Sequence, residues 1–226
     1  MQNEIFKKYE ANNYYLRNRN KQNKFKYDII LDIMEKYDLV KNKISVLEIG
    51  CSDGWRLEKL KLKYKDKVNL FGVEPSKLAC DDIKMNKKYV ECFCCTSDKF
   101  SIKRKFDIIL VPFVLHWIDR NKLISTVYNI DRHLKDNGFL IICDFWTNGF
   151  NKTRYHHITD NEIWTYKQNY QNIFVSTGTY INLFNGAYDY EKGNYKSGVF
   201  SIYKDSNNIA QISLLKKVND YLYIKK

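Results

Sequence analysis

The stretch Val46-Leu47-Glu48-Ile49-Gly50-Cys51-Ser52-Asp53-Gly54-Trp55 decides the fold. A short β-rich run, Ile44–Ile49, leads straight into a turn with a glycine at each end, and a helical pattern begins at Trp55. Gly50 lets the chain turn at a φ that side chains disfavour. Gly54 permits close backbone approach to a ligand, or tight packing of helix on strand. The helix after Gly54 offers free N–H groups to an anionic or polar ligand group. The next β-rich run, Val68–Val73, stops at Glu74-Pro75, with Glu74 about 20 residues beyond Gly54. An acid at that place can accept both hydroxyls of a ribose.

The alternation continues on both sides. Phe25, Ile29, Ile30, Ile33, Met34 and Tyr37 recur at helical spacing, so residues 25–39 are expected to form an amphipathic helix. Trp55–Tyr64 reads as a helix with Leu57, Leu60 and Tyr64 on one face, and Ser76 as the N-cap of a helix through Met85. Tyr89–Cys94 is a third strand and Phe106–Val111 a fourth, ended by Pro112. A helix over Asn121–Leu134, a turn at Lys135-Asp136-Asn137-Gly138 and a strand at Phe139–Cys143 follow. Strands alternating with helices, several of them apolar on both faces, imply a parallel sheet covered on each side. Beyond Asp144 the periodicity weakens, and a long aromatic and amide-rich segment suits a substrate lid. Val199–Tyr203 and Ile209–Leu215, flanking Lys204-Asp205-Ser206-Asn207-Asn208, read as an antiparallel hairpin at one sheet edge. The expected layout is a helical cover over 1–40, a core over 41–144, a lid over 145–196 and an edge hairpin over 197–226.

Composition narrows the class. The 226 residues carry 38 Lys+Arg against 26 Asp+Glu, a net charge of +12, and 44% are hydrophobic, too many for a disordered chain. No signal-peptide pattern opens the sequence, and no apolar run approaches the roughly 20 residues that span a bilayer. The six cysteines lack framework spacing, which points to reduced thiols and a cytoplasmic location. Cys92, Cys94 and Cys95 cluster without a Cys-x-x-Cys pair or a nearby His, so no metal site is expected. The charge is spread along the chain; it suits an anionic small acceptor, or reflects a lysine-rich habit, more than a nucleic acid.

The first loop departs from the dinucleotide pattern G-x-G-x-x-G. With Glu48 two residues ahead of Gly50, it resembles motif I, E/D-x-G-x-G-x-G, of class I S-adenosylmethionine (SAM) dependent methyltransferases. The resemblance extends over roughly 44–144. Phe106–Val111 is similar to that family's fourth strand, Phe113–Asp119 to the segment after it, and Leu134–Ile141 to its turn into the fifth strand. It implies a Rossmann-like, doubly wound α/β sheet of seven strands with an antiparallel C-terminal edge hairpin and an inserted lid. By that resemblance Glu48, Gly50, Cys51 and Gly54 organise the loop beneath the methionine moiety of SAM, and Glu74 with Pro75 holds the ribose. Ser52 replaces the motif's middle glycine, which is tolerable if its φ is negative. Where the family often places an Asp for adenine stands Cys95, so Thr96 and Ser97, or Asp98, take that role, with Val111 at the end of the fourth strand completing the site. Arg17 pairs with the SAM carboxylate or belongs to a solvated basic strip.

Methyl transfer from a sulfonium expels a neutral thioether, so alignment supplies much of the acceleration and a base is needed mainly for hydroxyl nucleophiles. Candidate bases are His116 just past the fourth strand, Asp144 at the end of the fifth, and His156 and His157 in the lid. His116 can equally be a histidine packed beside Trp117. The acceptor is expected to be small and polar, phosphate- or nucleotide-bearing, and methylated at oxygen, with surface-polysaccharide synthesis as the setting the resemblance suggests. An RNA or protein methyltransferase and a non-catalytic SAM-binding module are the alternatives.

Overall fold

The computed structural model describes residues 2–19, 28–158, 162–190, 194–195 and 209–218. Strands β1 (Ile44–Ile49), β2 (Val68–Val73), β3 (Val90–Phe93), β4 (Phe106–Pro112), β5 (Leu134–Phe145), β8 (Tyr180–Asp189), β9 (Asn194–Tyr195) and β10 (Ile209–Lys217) form one sheet in the order β3-β2-β1-β4-β5-β10-β8-β9. The first five are parallel, while β10 is antiparallel to both β5 and β8. Seven strands of useful length, closed by the two-residue β9, make the doubly wound sheet with an antiparallel edge.

Alternate residues of each parallel strand feed two cores. Val46, Leu70, Ile108, Leu110 and Ile141 pack with helices α3 (Ile29–Lys36), α4 (Trp55–Tyr64) and α5 (Lys77–Asn86). Leu47, Ile49, Phe71, Ile109 and Leu140 pack with α6 (Arg120–His133) and the short α7 (Gln171–Val175) on the other face. The period of two along a strand thus becomes two helix-covered faces. Side-chain caps start the helices where the sequence puts them: Asp28 accepts from the N–H groups of Ile30 at 2.9 Å and Leu31 at 3.4 Å, and Ser76 Oγ accepts from Ala79 N–H at 3.2 Å. The helix expected over 25–39 is described only from its cap onward; residues 25–27 lie outside the described residues.

Two expectations change. The partner of β10 is β8, inside the segment expected to be lid; Val199–Tyr203 and the turn after it lie outside the described residues. What projects from the sheet is the hairpin of β6 (Asn151–Arg154) with β7 (Trp164–Lys167). The turn expected at Lys135–Gly138 lies within β5, whose register against β4 jumps from Phe106↔Leu134 to Ile108↔Phe139, with Asn137 at a φ of 60°.

The N-terminal cover comprises α1 (Gln2–Ile5), a π-helical turn (Phe6–Glu10) and α2 (Ala11–Asn18). Gln2 ties it down: its Nε2 donates to the carbonyls of Trp117 at 2.9 Å and Trp164 at 2.6 Å, while its Oε1 accepts from Trp164 N–H at 2.9 Å. Farther along, Asn12 Oδ1 accepts from Ser76 Oγ at 2.8 Å. Among the described residues no helix is long and apolar enough to cross a membrane.

Candidate active site

A cavity of about 460 Å³ opens at the C-terminal ends of β1, β2 and β4, beneath the N-terminal cover. This is where an open α/β sheet reverses strand order and collects ligands. The loop after β1 winds through three left-handed residues, Gly50 at φ 72°, Ser52 at 50° and Gly54 at 72°. A negative φ for Ser52 was the condition for its replacing glycine; the structure instead places it in the left-handed region, where a side chain costs roughly 1–2 kcal/mol. The compensation is local. Ser52 N–H donates to Glu74 Oε2 at 2.8 Å, and Ser76 N–H donates to Glu74 Oε1 at 2.9 Å.

Glu74 is therefore a carboxylate fixed by one backbone N–H on each oxygen, with its remaining lone pairs available to a ligand. Burial pushes its pKa up to about 7 against those two donors. Gly50, Ser52, Glu74, Pro75, Thr96 and Ser97 all line the cavity. Ser52 Oγ and Thr96 Oγ1 are buried without a hydrogen-bond partner. Buried hydroxyls are rarely left unsatisfied, so two of them on one wall beside an anchored acid fit a polar ligand there. Ser97 is held from behind by α6, its Oγ lying 3.3 Å from Thr126 Oγ1 and its carbonyl accepting from Asn129 Nδ2 at 3.3 Å.

Other expected residues sit behind the wall. Gly54 starts α4 and packs on Ile83; Cys51 lies against Gly72, and Val111 is fully buried in the core. Glu48 is buried and takes the Arg56 guanidinium on Oε1, while its Oε2 has no partner. Arg56 Nε also donates to Asp28 Oδ2 at 2.8 Å. Burial works against the guanidinium charge, yet Asp28 and Glu48 outweigh it and keep Arg56 protonated. Burial likewise pushes Glu48 up to about 7 against the pull of Arg56. Asp28 and Arg56 line the cavity, a pair that no local pattern in the sequence announces. Nothing local links residues 28 positions apart; only the seating of the α3 cap on the first turn of α4 joins them.

Arg17 does not line the cavity; its side chain is partly exposed and engaged by neighbours. It bonds Glu10, itself buried in the π-helical turn, and donates to the Tyr155 hydroxyl at 2.9 Å, while that hydroxyl donates to Glu10 Oε1 at 2.5 Å. This network joins the cover to the segment after β6. His156 and His157 stack on each other with ring centroids 4.0 Å apart, exposed and away from the cavity. His116 and Asp144 do come together. His116 Nδ1 lies 2.7 Å from Asp144 Oδ1, and Asp144 Oδ2 accepts from the N–H groups of Leu115 at 2.7 Å and His116 at 3.3 Å. Both are buried behind the wall, where the carboxylate staples the turn after β4 and the imidazole supports Phe113 and Trp117.

That turn carries the aromatic part of the cavity. Phe113, Trp117, Tyr14 and Tyr190 line it together with Phe6. Burial, with Tyr190 and Glu74 nearby, pushes the Tyr14 hydroxyl up to about 12, so it is a neutral donor at ordinary pH.

Residues 47–140 match the family model described as a methyltransferase domain. No curated relative matches the sequence. Among solved structures, the chain is similar to a SAM-dependent methyltransferase from Clostridium acetobutylicum (TM-score 0.60, 16% identity, 92% of this chain and 99% of that one). It is similar too to the N-methyltransferase NodS of Bradyrhizobium japonicum in complex with S-adenosylhomocysteine, SAH (0.58, 14%, 92% and 98%). A third is the 1,6-didemethyltoxoflavin-N1-methyltransferase of Burkholderia thailandensis (0.59, 11%, 92% and 91%). At such identities these likenesses establish the fold. The family match spans the motif loop, Glu74 and β4, the parts that build the cavity, so residues 47–140 carry a methyltransferase domain, which implies SAM as the cofactor.

Proposed function

We propose that this enzyme methylates a small molecule bound beside the turn after β4, with Gly50, Ser52, Glu74, Pro75, Thr96 and Ser97 holding SAM. The observation that carries this reading is the doubly anchored Glu74 lining one cavity together with two unpartnered hydroxyls. When bound, SAM supplies an electrophilic methyl group. The chain's own contribution is to fix the loop, hold the ribose through Glu74, and keep the acceptor against the aromatic wall so that approach is largely prepaid in entropy. Ser52 Oγ and Thr96 Oγ1 gain partners on binding, and the Asp28–Arg56 pair supports the polar end of the cavity. Glu48, Cys51, Gly54 and Val111 shape this site from behind. His116 and Asp144 hold its aromatic turn in place.

The chain's net positive charge is the main support for a phosphate- or nucleotide-bearing acceptor, and for an RNA substrate. The cavity does not share that charge: among the described residues Arg56 is the sole cation on its wall, and it is already paired. The free thiols agree with a reducing compartment such as the cytoplasm. Equilibrium titration of the full chain with SAM and with SAH tests the reading, both being expected to bind. Failure of both to bind sinks it. Binding without methyl transfer to any of a library of small amines, alcohols and phosphorylated compounds would favour a non-catalytic module.

A further inference from the structure

We infer that the acceptor is an amine carried on a flat, apolar frame, methylated at nitrogen. This rests on the methyltransferase reading above and goes on to name its substrate class. The first observation is a strained residue. Phe113, at the C-terminal end of β4, has a φ of 53°, a left-handed conformation that is an outlier for a bulky side chain. Its backbone is pinned there by a 2.7 Å hydrogen bond from its N–H to the Cys143 carbonyl. Strain of this kind costs about 1–3 kcal/mol and gathers at ligand clamps. Its effect here is to stand the Phe113 ring in the cavity wall, 5.0 Å from Tyr190 and 5.3 Å from Phe145 by ring centroids. Trp117 continues the wall, 6.5 Å from Tyr14 in an edge-to-face arrangement.

The second observation is the charge along that wall. Asp28 and Glu74 are the acids on it, while Arg56, its sole cation among the described residues, is shared between Asp28 and Glu48. Asp28 is held by Arg56 and Glu74 is committed to the ribose, so the ring faces decide: they attract a cation, whereas a phosphorylated or carboxylated acceptor would meet no free counter-ion.

The third is the placing of proton acceptors. The His116–Asp144 pair lies behind Phe113 and Trp117, no histidine lines the wall among the described residues, and its two carboxylates are engaged, Asp28 by Arg56 and Glu74 by the N–H groups of Ser52 and Ser76. Attack by a hydroxyl needs a base in reach, whereas a neutral amine needs none in the transfer step. The amine gives its extra proton to water beforehand. Its lone pair then forms the bond to the donated methyl carbon while the carbon–sulfur bond breaks, its electron pair staying on sulfur. The positive charge passes from sulfur to nitrogen, and the product leaves as a methylammonium. One positive charge is therefore conserved across the transfer, and the product carries it on the nitrogen that the ring faces would hold.

Calorimetry on the full chain saturated with SAH at pH 8 tests this with three ring-bearing probes: phenethylamine, benzyl alcohol and phenyl phosphate. The expected order is phenethylamine tightest, in the millimolar range or below, and phenyl phosphate weakest. Phe113→Gly relieves the backbone strain while deleting the ring. It should weaken phenethylamine by roughly tenfold and leave SAH within about twofold. Tyr190→Leu, at a half-exposed position, gives the same pattern if Phe113→Gly misfolds. Tightest binding by phenyl phosphate or benzyl alcohol, no binding of phenethylamine, or an unchanged phenethylamine affinity in both variants overturns the inference while SAH binding stands. Failure of SAH itself to bind instead removes the reading beneath it.

Discussion

Replacing Glu74 by Gln should abolish a pH dependence as well as weaken cofactor binding. In the unliganded chain burial raises the Glu74 carboxyl to about 7, although Ser76 and Ser52 each donate a backbone N–H to it. On the proposed assignment, ribose hydroxyls donate to the ionised form, so binding expels the proton. Affinity for SAH then rises with pH through about 7 and levels off above it. A single group with that pKa is about one-tenth ionised at pH 6 and nine-tenths at pH 8, a roughly tenfold gain in affinity across the interval. Gln presents an NH₂ group to one of the two backbone donors and keeps only one acceptor. Hydrogen bonds to a charged group are worth about 1.5–3 kcal/mol each, so the variant should lose ~3 kcal/mol, roughly 100-fold in Kd, at pH 8. At pH 6 the wild type is itself mostly protonated and the gap closes to about tenfold.

The assay is calorimetric titration with SAH at pH 6, 7 and 8, repeated in two buffers of different ionisation enthalpy to count released protons. A wild-type affinity that is flat from pH 6 to 8, or a Glu74→Gln variant that keeps the wild-type slope, would show that Glu74 does not release a proton to the cofactor. Stability carries the opposite sign. Because the folded pKa lies above the ordinary 4.5, the unliganded fold holds a proton that the unfolded chain has released, so this group's contribution to stability falls as pH rises from about 4.5 to about 7. SAH should recover that loss above pH 7.

Two further substitutions probe the loop. Ser52→Gly removes a left-handed side chain and should raise stability by ~1 kcal/mol in thermal melts, with an unchanged or lower melting temperature counting against the strain assignment. Gly72→Ala would place a Cβ 2.4 Å from Cys51 Sγ and should cost about 1–3 kcal/mol; Cys51→Ala in the same chain should restore most of it, and a purely additive double variant would refute the contact.

Residues whose roles are set by local chemistry were legible in order along the chain. β1, β2 and α4 fall where the hydrophobic periodicity and the glycines place them, and Ser76 caps α5 as expected. Glu74 could be located because strand length and a turn residue fix it relative to Gly54. Side chains whose partners lie far off in sequence are another matter. Arg17 has the charge to meet a carboxylate, but Glu10, seven positions earlier, reaches it across a π-helical turn that no periodicity announces. His156 and His157 have the right functional groups, yet the hairpin turns them outward. The β-rich run at Val199–Tyr203 and β8 look alike in sequence; pairing with β10 is a long-range matter that neither segment encodes alone.

The class of the protein is written in local patterns: a strand–glycine turn–helix unit, a second strand ending in an acid, and alternation that demands a covered parallel sheet. These follow from short-range rules, since periodicity, caps and φ preferences act within a few residues. Tertiary structure decided everything that depends on which distant groups meet. It set Ser52 in the left-handed region because Glu74 rewards its N–H, joined Asp28 and Glu48 through Arg56, and withdrew His116 behind the ring of a strained Phe113. The net charge of +12 belongs to the whole chain, but the charge that an acceptor meets is that of one wall, and the fold alone selects which residues compose it.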